Sequence, residues 1–555
     1  MRNIVLTLSL LLLCVPVSAA DVHVLTAARI RTMDAAMPTA AAMAWGDDGR
    51  VLMLGDTATV LARYPDAERI DVGTATVIPG LIDAHGHLMG LGQSLLRADL
   101  TGTRDKAEVL GRLRAFESNL PEGAWLLGRG WDQNDWPDKT FPNAEDLDRM
   151  FPSRPVWLER VDGHAGWANT AAMRAAGQRP GSRSIDGDWQ PEGGRIVREA
   201  GKATGLFVDN AALIVEAVVP PPDETLRERM LRAALEAAAR NGLTGLHDMG
   251  VSREDLALYR RFADRGELTL RIDAYADGDS AALADLCADG LYAHADGRLR
   301  MRGVKLYIDG ALGSRGAALL SDYSDDHGNR GLLINEPDAF AAILRKAKDC
   351  GVQVATHAIG DRGNRVVLDA YRDVLGEIVA NDHRWRIEHA QVVALADIPR
   401  FAEMHVIASM QPTHATSDMP WAEARIGRER IVGAYAWRRF LDSGARLALG
   451  SDFPVESVDP RLGLYAAIAR QDRDGQPPGG WLPDQVLSIA EALRGFTVDA
   501  AYAGRDEAEV GRLAPGMRAD FVVLAQDPMQ SSADAVDDLA IRSTWVNGVA
   551  VYEAE

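Results

Sequence analysis

Cysteine is scarce. Three occur in 555 residues, Cys14, Cys287 and Cys350, too few in so long a chain for a disulfide framework. Positive charge is in deficit: 60 Lys and Arg stand against 80 Asp and Glu, a formal net charge of −20. That balance argues against nucleic acid as a partner, because phosphate binding needs a basic surface. It names no substrate, since an acidic surface is usually a solubility feature. Nucleotide loops are missing too. Gly310-Ala311-Leu312-Gly313-Ser314-Arg315-Gly316 is glycine-rich but lacks the Lys-Ser/Thr ending of a phosphate loop, and no nucleotide cofactor is expected. Long apolar runs are absent beyond the first residues, so no later stretch reads as transmembrane.

What is present begins with a leader. Arg2 supplies a basic start, Ile4 to Leu13 an apolar run, and Val17-Ser18-Ala19-Ala20 the small residues of a cleavage site. Residues 1–20 are expected to be a cleaved signal peptide and the mature protein periplasmic or secreted; an uncleaved anchor is the alternative. Leu12-Leu13 before Cys14 makes a poor lipobox. The two remaining cysteines are read as separately buried thiols, with pairing in an oxidising compartment the alternative. Hydrophobic residues at 47% and charged residues at 25% are ordinary for a globular protein, and the length suffices for a barrel plus a second unit.

Both ends are β-rich. Asp47-Asp48-Gly49-Arg50 separates Ala41–Trp45 from Val51–Leu54 as a hairpin turn does, and Asn547-Gly548 separates Ser543–Val546 from Val549–Tyr552. Residues 21–79 and 505–555 are therefore assigned to one composite β-sandwich domain. Residues 80–504 alternate strands and helices. Strand candidates are Leu81–Leu88, Leu243–Met249, Leu268–Tyr275, Gly303–Ile308, Val352–His357, Trp385–His389, Val406–Gln411 and Leu447–Asp452. Helical periodicity lies between them, as in Pro337–Lys348 and Asn364–Ile378. Strand–helix units each ending in polar residues favour a closed (β/α)8 TIM-like barrel, an α/β fold, over an open sheet. The stretch of about 123–222 is too long for one connection and is read as an insertion over the barrel mouth. Helix Asp223–Arg240 returns the chain to the second strand.

The chemistry concentrates at strand ends. In Val77-Ile78-Pro79-Gly80-Leu81-Ile82-Asp83-Ala84-His85-Gly86-His87, residues i and i+2 of a strand share a face, so His85 and His87 point together into the barrel as half a metal site. His357 and His389 close two later strands. Of twelve histidines, these four sit where a barrel delivers side chains to its active face. Asp452, closing Leu447–Ser451, fits a metal ligand and proton acceptor, the alternative being a helix cap. Lys305 lies within Val304–Ile308. A lysine facing the interior is costly unless paired, and reaction with carbon dioxide would make it an anionic carbamate; an outward or acid-paired lysine is the other reading. His164, after Trp157-Leu158-Glu159-Arg160, is a candidate donor to a developing oxyanion, and His414 a similar one. Trp131, Trp136 and Arg315 are candidates to shape the substrate pocket.

Taken together, these motifs resemble the amidohydrolase superfamily. Gly130-Trp131-Asp132, Asp162-Gly163-His164, Asp309-Gly310-Ala311-Leu312-Gly313-Ser314-Arg315, His357-Ala358-Ile359-Gly360-Asp361, Ile387-Glu388-His389-Ala390-Gln391, Gln411-Pro412-Thr413-His414 and Gly450-Ser451-Asp452-Phe453-Pro454 resemble its amidohydrolase-3 branch, which includes N-substituted formamide deformylase-like proteins. The resemblance covers nearly the whole mature chain. It implies one or two divalent ions, usually Zn2+: His85, His87 and Asp452 on one, His357 and His389 on the other, carboxylated Lys305 bridging. It implies hydrolysis of a non-peptide carbon–nitrogen bond, of amide or N-formyl type, by hydroxide generated at the metal, with Asp452 moving the proton. Ester hydrolysis or deamination at the same site is the alternative chemistry, and an exported binding protein without catalysis the alternative class. The expected partner is a small-molecule substrate, with a homodimer left open.

Overall fold

The computed structural model describes residues 22–118, 120–160, 165–191 and 194–554; the expected signal peptide lies outside them. The chain divides into two compact units, one formed by the residues up to His87 and from Glu236 onward, the other by Leu88–Leu235.

In the first unit, eight parallel strands run side by side: β1 (Leu81–Gly86), β2 (Leu243–Val251), β3 (Arg271–Asp277), β4 (Leu299–Tyr307), β5 (Gln353–Ala358), β6 (Arg386–His389), β7 (Ile407–Met410) and β8 (Leu447–Leu449). Every strand candidate read from the sequence corresponds to one of them. Their order around the sheet is their order in the chain, because each crossover returns to the adjacent strand. Packed on one side by helices and on the other by barrel interior, they are almost wholly buried, which is why their sequences are apolar runs rather than alternations.

The sheet comes round until β8 nearly meets β1. Asp83 joins the two ends. Its Oδ1 accepts the N–H groups of His85 and Ser451, each at 3.0 Å, and its Oδ2 accepts the Ser451 hydroxyl at 2.6 Å. The Asp452 N–H donates to the His85 carbonyl at 2.7 Å, and the His87 N–H to that of Phe453 at 2.8 Å. This is a nearly closed, TIM-like barrel, and the Asp83 of the Pro-Gly-Leu-Ile-Asp sequence is its seam.

The two termini contribute strands to one hydrogen-bonded sheet. Strands from Val22–Arg31 to Thr76–Pro79 and from Phe521–Leu524 to Val549–Glu553 form an eight-stranded sheet, seven of them in one run joined where Thr76–Pro79 pairs with Phe521–Leu524, and Glu68–Asp71 beside Val22–Arg31. Trp45 and Phe521 fill the core on one face. Both hairpins form as read, the second turning through Asn547 and Gly548 with φ of 53° and 70°. Arg271 on β3 pairs with Asp520 at 2.5 Å and so ties the barrel to this sheet.

The thiol reading requires correction. Cys287, in helix Ala281–Asp289, and Cys350, capping helix Pro337–Asp349, form a disulfide with Cα atoms 5.0 Å apart. These helices flank neighbouring strands, so the barrel's curvature brings together residues separated by 63 positions.

The second unit carries a six-stranded sheet running from Gly194–Glu199 through Lys202–Asp209, Ala165–Ala168, Val156–Arg160 and Leu126–Trp131 to Ala98–Asp99. It extends beyond the 123–222 read from loop length. Helix Glu224–Arg240 carries the chain back towards β2.

Candidate metal centre and active site

The C-terminal ends of β1, β5, β6 and β8 converge on Asp452. His87 Nδ1 donates to the Met249 carbonyl at 2.7 Å, which turns Nε2 to face Asp452 Oδ1 at 3.0 Å. His85 Nδ1 donates to Glu388 Oε2 at 2.5 Å, leaving Nε2 3.5 Å from the same Asp452 oxygen. His389 Nδ1 donates to Gln411 Oε1 at 2.8 Å. His414 reaches Asp452 Oδ2 with Nε2 and Glu456 Oε1 with Nδ1, both at 3.3 Å. Among the described residues, two groups hold three candidate ligand atoms within 4.8 Å of one another: His85, His87 and Asp452, and His389, His414 and Asp452. Asp452 belongs to both.

His357 lies beside them. Its ring centroid is 4.6 Å from that of His389, and its Nε2 is buried without a hydrogen-bond partner, 3.7 Å from Asp309 Oδ1. Lys305 is 1% exposed and sets its Nζ 3.1 Å from His85 Nε2. The structure thus gathers six residues singled out from the sequence: His85, His87, Lys305, His357, His389 and Asp452.

Burial sets the protonation states. It holds the His85 and His389 imidazoles well below the usual range and His357 down to about 4, each further opposed by neighbouring positive groups. Neutral imidazoles keep the lone pair a metal needs. Burial lowers Lys305 to about 8. Burial opposes the charge on Asp452, but hydrogen bonds from His414 and His87 keep its carboxyl well below the usual carboxylate range. His414 is pushed up to about 10: burial works against its charge, and the Asp452 and Glu456 carboxylates outweigh it.

A divalent ion fits this donor set. Imidazole nitrogens and a carboxylate are the ligands zinc takes, and the remote nitrogens of His85, His87 and His389 are already engaged, which fixes tautomer and ring orientation.

Trp131 and Trp136 lie elsewhere. Trp131 is fully buried in the core of the second unit, packed against Trp136 and Trp167 with ring centroids 6.0 Å away, and its Nε1 donates to the Leu158 carbonyl. Trp131 and Trp136 are core residues, which corrects the pocket role read for them. Arg315 forms a two-pronged ion pair with Asp325 at 3.1 and 3.0 Å. His164 lies outside the described residues.

Sequence reasoning missed the residues behind the ligands. Arg386 and Glu388 are wholly buried on β6, Gln411 follows β7, and Asp309 follows β4. Two charges at i and i+2 in a strand that ought to be apolar were the available signal, because both must face the barrel interior.

The amidohydrolase family model matches residues 68–552. The chain belongs to the amidohydrolase family. This amidohydrolase is 33% identical to the putative amidohydrolase YtcJ of Bacillus subtilis over 91% of its own length and 95% of the relative's. It is 29% identical to the N-substituted formamide deformylase of Arthrobacter pascens over 95% of its length and 97% of that protein's. Among solved structures, an uncharacterized metal-dependent hydrolase from Pyrococcus horikoshii is similar with a TM-score of 0.78 and 27% identity, covering 92% of this chain and 99% of that one.

Proposed function

We propose that this amidohydrolase is an exported, metal-dependent hydrolase of a non-peptide carbon–nitrogen bond, an amide or N-formyl group. The observation that carries the reading is the convergence of His85, His87 and His389 on the buried carboxylate of Asp452, with His357 packed against His389. His85, His87 and Asp452 would hold one divalent ion, Zn2+ being the expected metal. His389 and His357 would hold a second. His414 is assigned outside the ligand set, since both its ring nitrogens already face carboxylate oxygens, Asp452 Oδ2 and Glu456 Oε1.

A bound ion of this kind polarises a carbonyl and lowers the pKa of water to about 7. The chain's own residues do the rest. Asp452 accepts the proton of the attacking water and delivers it to the leaving nitrogen. His414 fixes the Asp452 carboxylate through Oδ2. Lys305, lowered to about 8 by burial, keeps a share of neutral amine at physiological pH. Neutral amine is the form that adds to carbon dioxide with loss of a proton, which supports a carbamate bridging the two positions. The name of the Arthrobacter pascens relative supports formamides as the first substrates to try. The apolar leader and the Cys287–Cys350 bond support export, since disulfides persist in oxidising compartments.

The test is a panel of formamides, N-acyl amino acids and esters, assayed with zinc-loaded and chelator-stripped protein. Amide or formamide turnover that disappears on stripping and returns with zinc is expected. Turnover that survives complete stripping sinks the metal mechanism, and turnover of esters alone sinks the bond assignment.

A further inference from the structure

The barrel interior holds an ion pair that the proposed reaction does not use. Arg386 and Glu388 are fully buried on β6. Glu388 Oε1 meets Arg386 Nε at 2.5 Å, and its Oε2 takes both Arg386 Nη2 at 3.0 Å and the Nδ1–H of His85 at 2.5 Å. The same Nη2 also lies 2.5 Å from the Ala84 carbonyl and from Ser409 Oγ, sharing its two hydrogens among these acceptors, and Nη1 donates to His247 Nδ1 at 2.7 Å. The guanidinium therefore holds the backbone one residue before His85, and through Glu388 it holds the His85 ring.

Such a pair is a poor way to stabilise a fold. Desolvation of two charges commonly cancels their attraction, and well-packed apolar residues often do as well or better. Its placement gives it another use. A carboxylate behind a ligand histidine fixes the ring and strengthens the opposite nitrogen as a donor. The backing of the other ligands is weaker: His87 leans on a neutral carbonyl, His389 on a neutral amide, and His357 Nε2 lies 3.7 Å from Asp309 Oδ1 without a hydrogen bond to it. His85 alone of these four has a carboxylate hydrogen-bonded behind it.

We propose that Arg386 and Glu388 are positioning residues that make the His85–His87–Asp452 position the tighter of two unequal metal positions. The inference rests on the metal-dependent reading above.

The experiment titrates metal-free full-length protein with Zn2+ against a chromophoric chelator, and with Co2+ followed by its visible absorption. Glu388→Gln should weaken the tight class roughly 10–100-fold and shift the Co2+ band, leaving any weaker class unchanged. Gln411→Ala should weaken only the second class. The double replacement Arg386→Met with Glu388→Leu removes the pair without stranding a charge. It should fold with an undiminished melting temperature and still lose the tight class, and it carries the test if Glu388→Gln does not fold. Tight binding and an unshifted Co2+ band in the folded double variant would reduce the pair to a structural one and overturn the proposal. If wild type binds a single equivalent, that equivalent must be the one Glu388→Gln weakens, or the proposal fails. Wild-type protein that binds neither ion overturns the metal reading, and this inference with it.

Discussion

Asp452 faces His87 with one oxygen and His414 with the other, so a single side chain is shared by both halves of the site. Asp452→Asn keeps the shape and removes the charge and the proton acceptor. The expected outcome is a fall in kcat of about 10²–10⁴-fold with an unchanged circular dichroism spectrum; near-wild-type turnover would remove Asp452 from the reaction. His247 gives a second prediction at this scale. It accepts a hydrogen bond from Arg386, and burial, reinforced by that guanidinium, lowers it to about 3. The unfolded histidine titrates near 6.5. Between these values the unfolded chain binds more protons, so stability falls as pH drops below about 6.5, by about 1.4 kcal/mol per pH unit for this group. Denaturation of wild type and His247→Asn from pH 7 to 4 should show that slope in their difference. A flat difference would mean that His247 is not buried neutral. The candidate ligands His85, His87, His357, His389 and Asp452 were legible in the sequence because each lies at the end of an apolar strand. Arg386, Glu388 and His247 were not assigned roles, because a charge inside a strand acquires meaning only once its partner, up to 303 positions away, is known.

Among the elements, the strands were the most legible part of the chain. Short apolar runs bounded by turn residues mark Leu81–Gly86 and Gln353–Ala358 without ambiguity. The staples between strand ends were less visible. Asp309, just past β4, accepts the N–H groups of Ala318 and Ile359 at 2.9 Å and of Gly360 at 2.8 Å, binding the loop after β4 to the one after β5. A sequence shows an aspartate before a glycine there and nothing of the three donors. Asp309→Ala should strand those buried donors and cost roughly 3 kcal/mol or more in urea denaturation. A loss below 1 kcal/mol, taken as about one hydrogen bond, would mean that water replaces the carboxylate and that the staple is dispensable.

At the scale of the whole molecule, the disulfide and the composite sheet join distant parts of the chain. Cys287–Cys350 closes a loop of 63 residues that contains β4 and Lys305. Chain entropy alone assigns such a loop about 4 kcal/mol of stability. The Cys287→Ala, Cys350→Ala protein should therefore unfold at lower denaturant with its metal content retained, and an unchanged midpoint would show that the bond constrains little. The pairing was not legible because two cysteines in a long chain carry no geometric information. The sheet of the two termini was legible in its strands, and the pairing of those strands into one hydrogen-bonded sheet was not, because alternation along a strand does not name its neighbour.

Local pattern determined which segments are strands, which strand ends carry imidazole or carboxylate, and hence the barrel and its candidate ligands, because burial and periodicity act over a few residues. Tertiary structure alone decided the rest: that Asp83 seals β1 to β8, that His414 leans on Asp452, that Trp131 belongs to a core and that Glu388 stands behind His85. Each of these depends on distances between residues that the chain keeps far apart until the barrel closes.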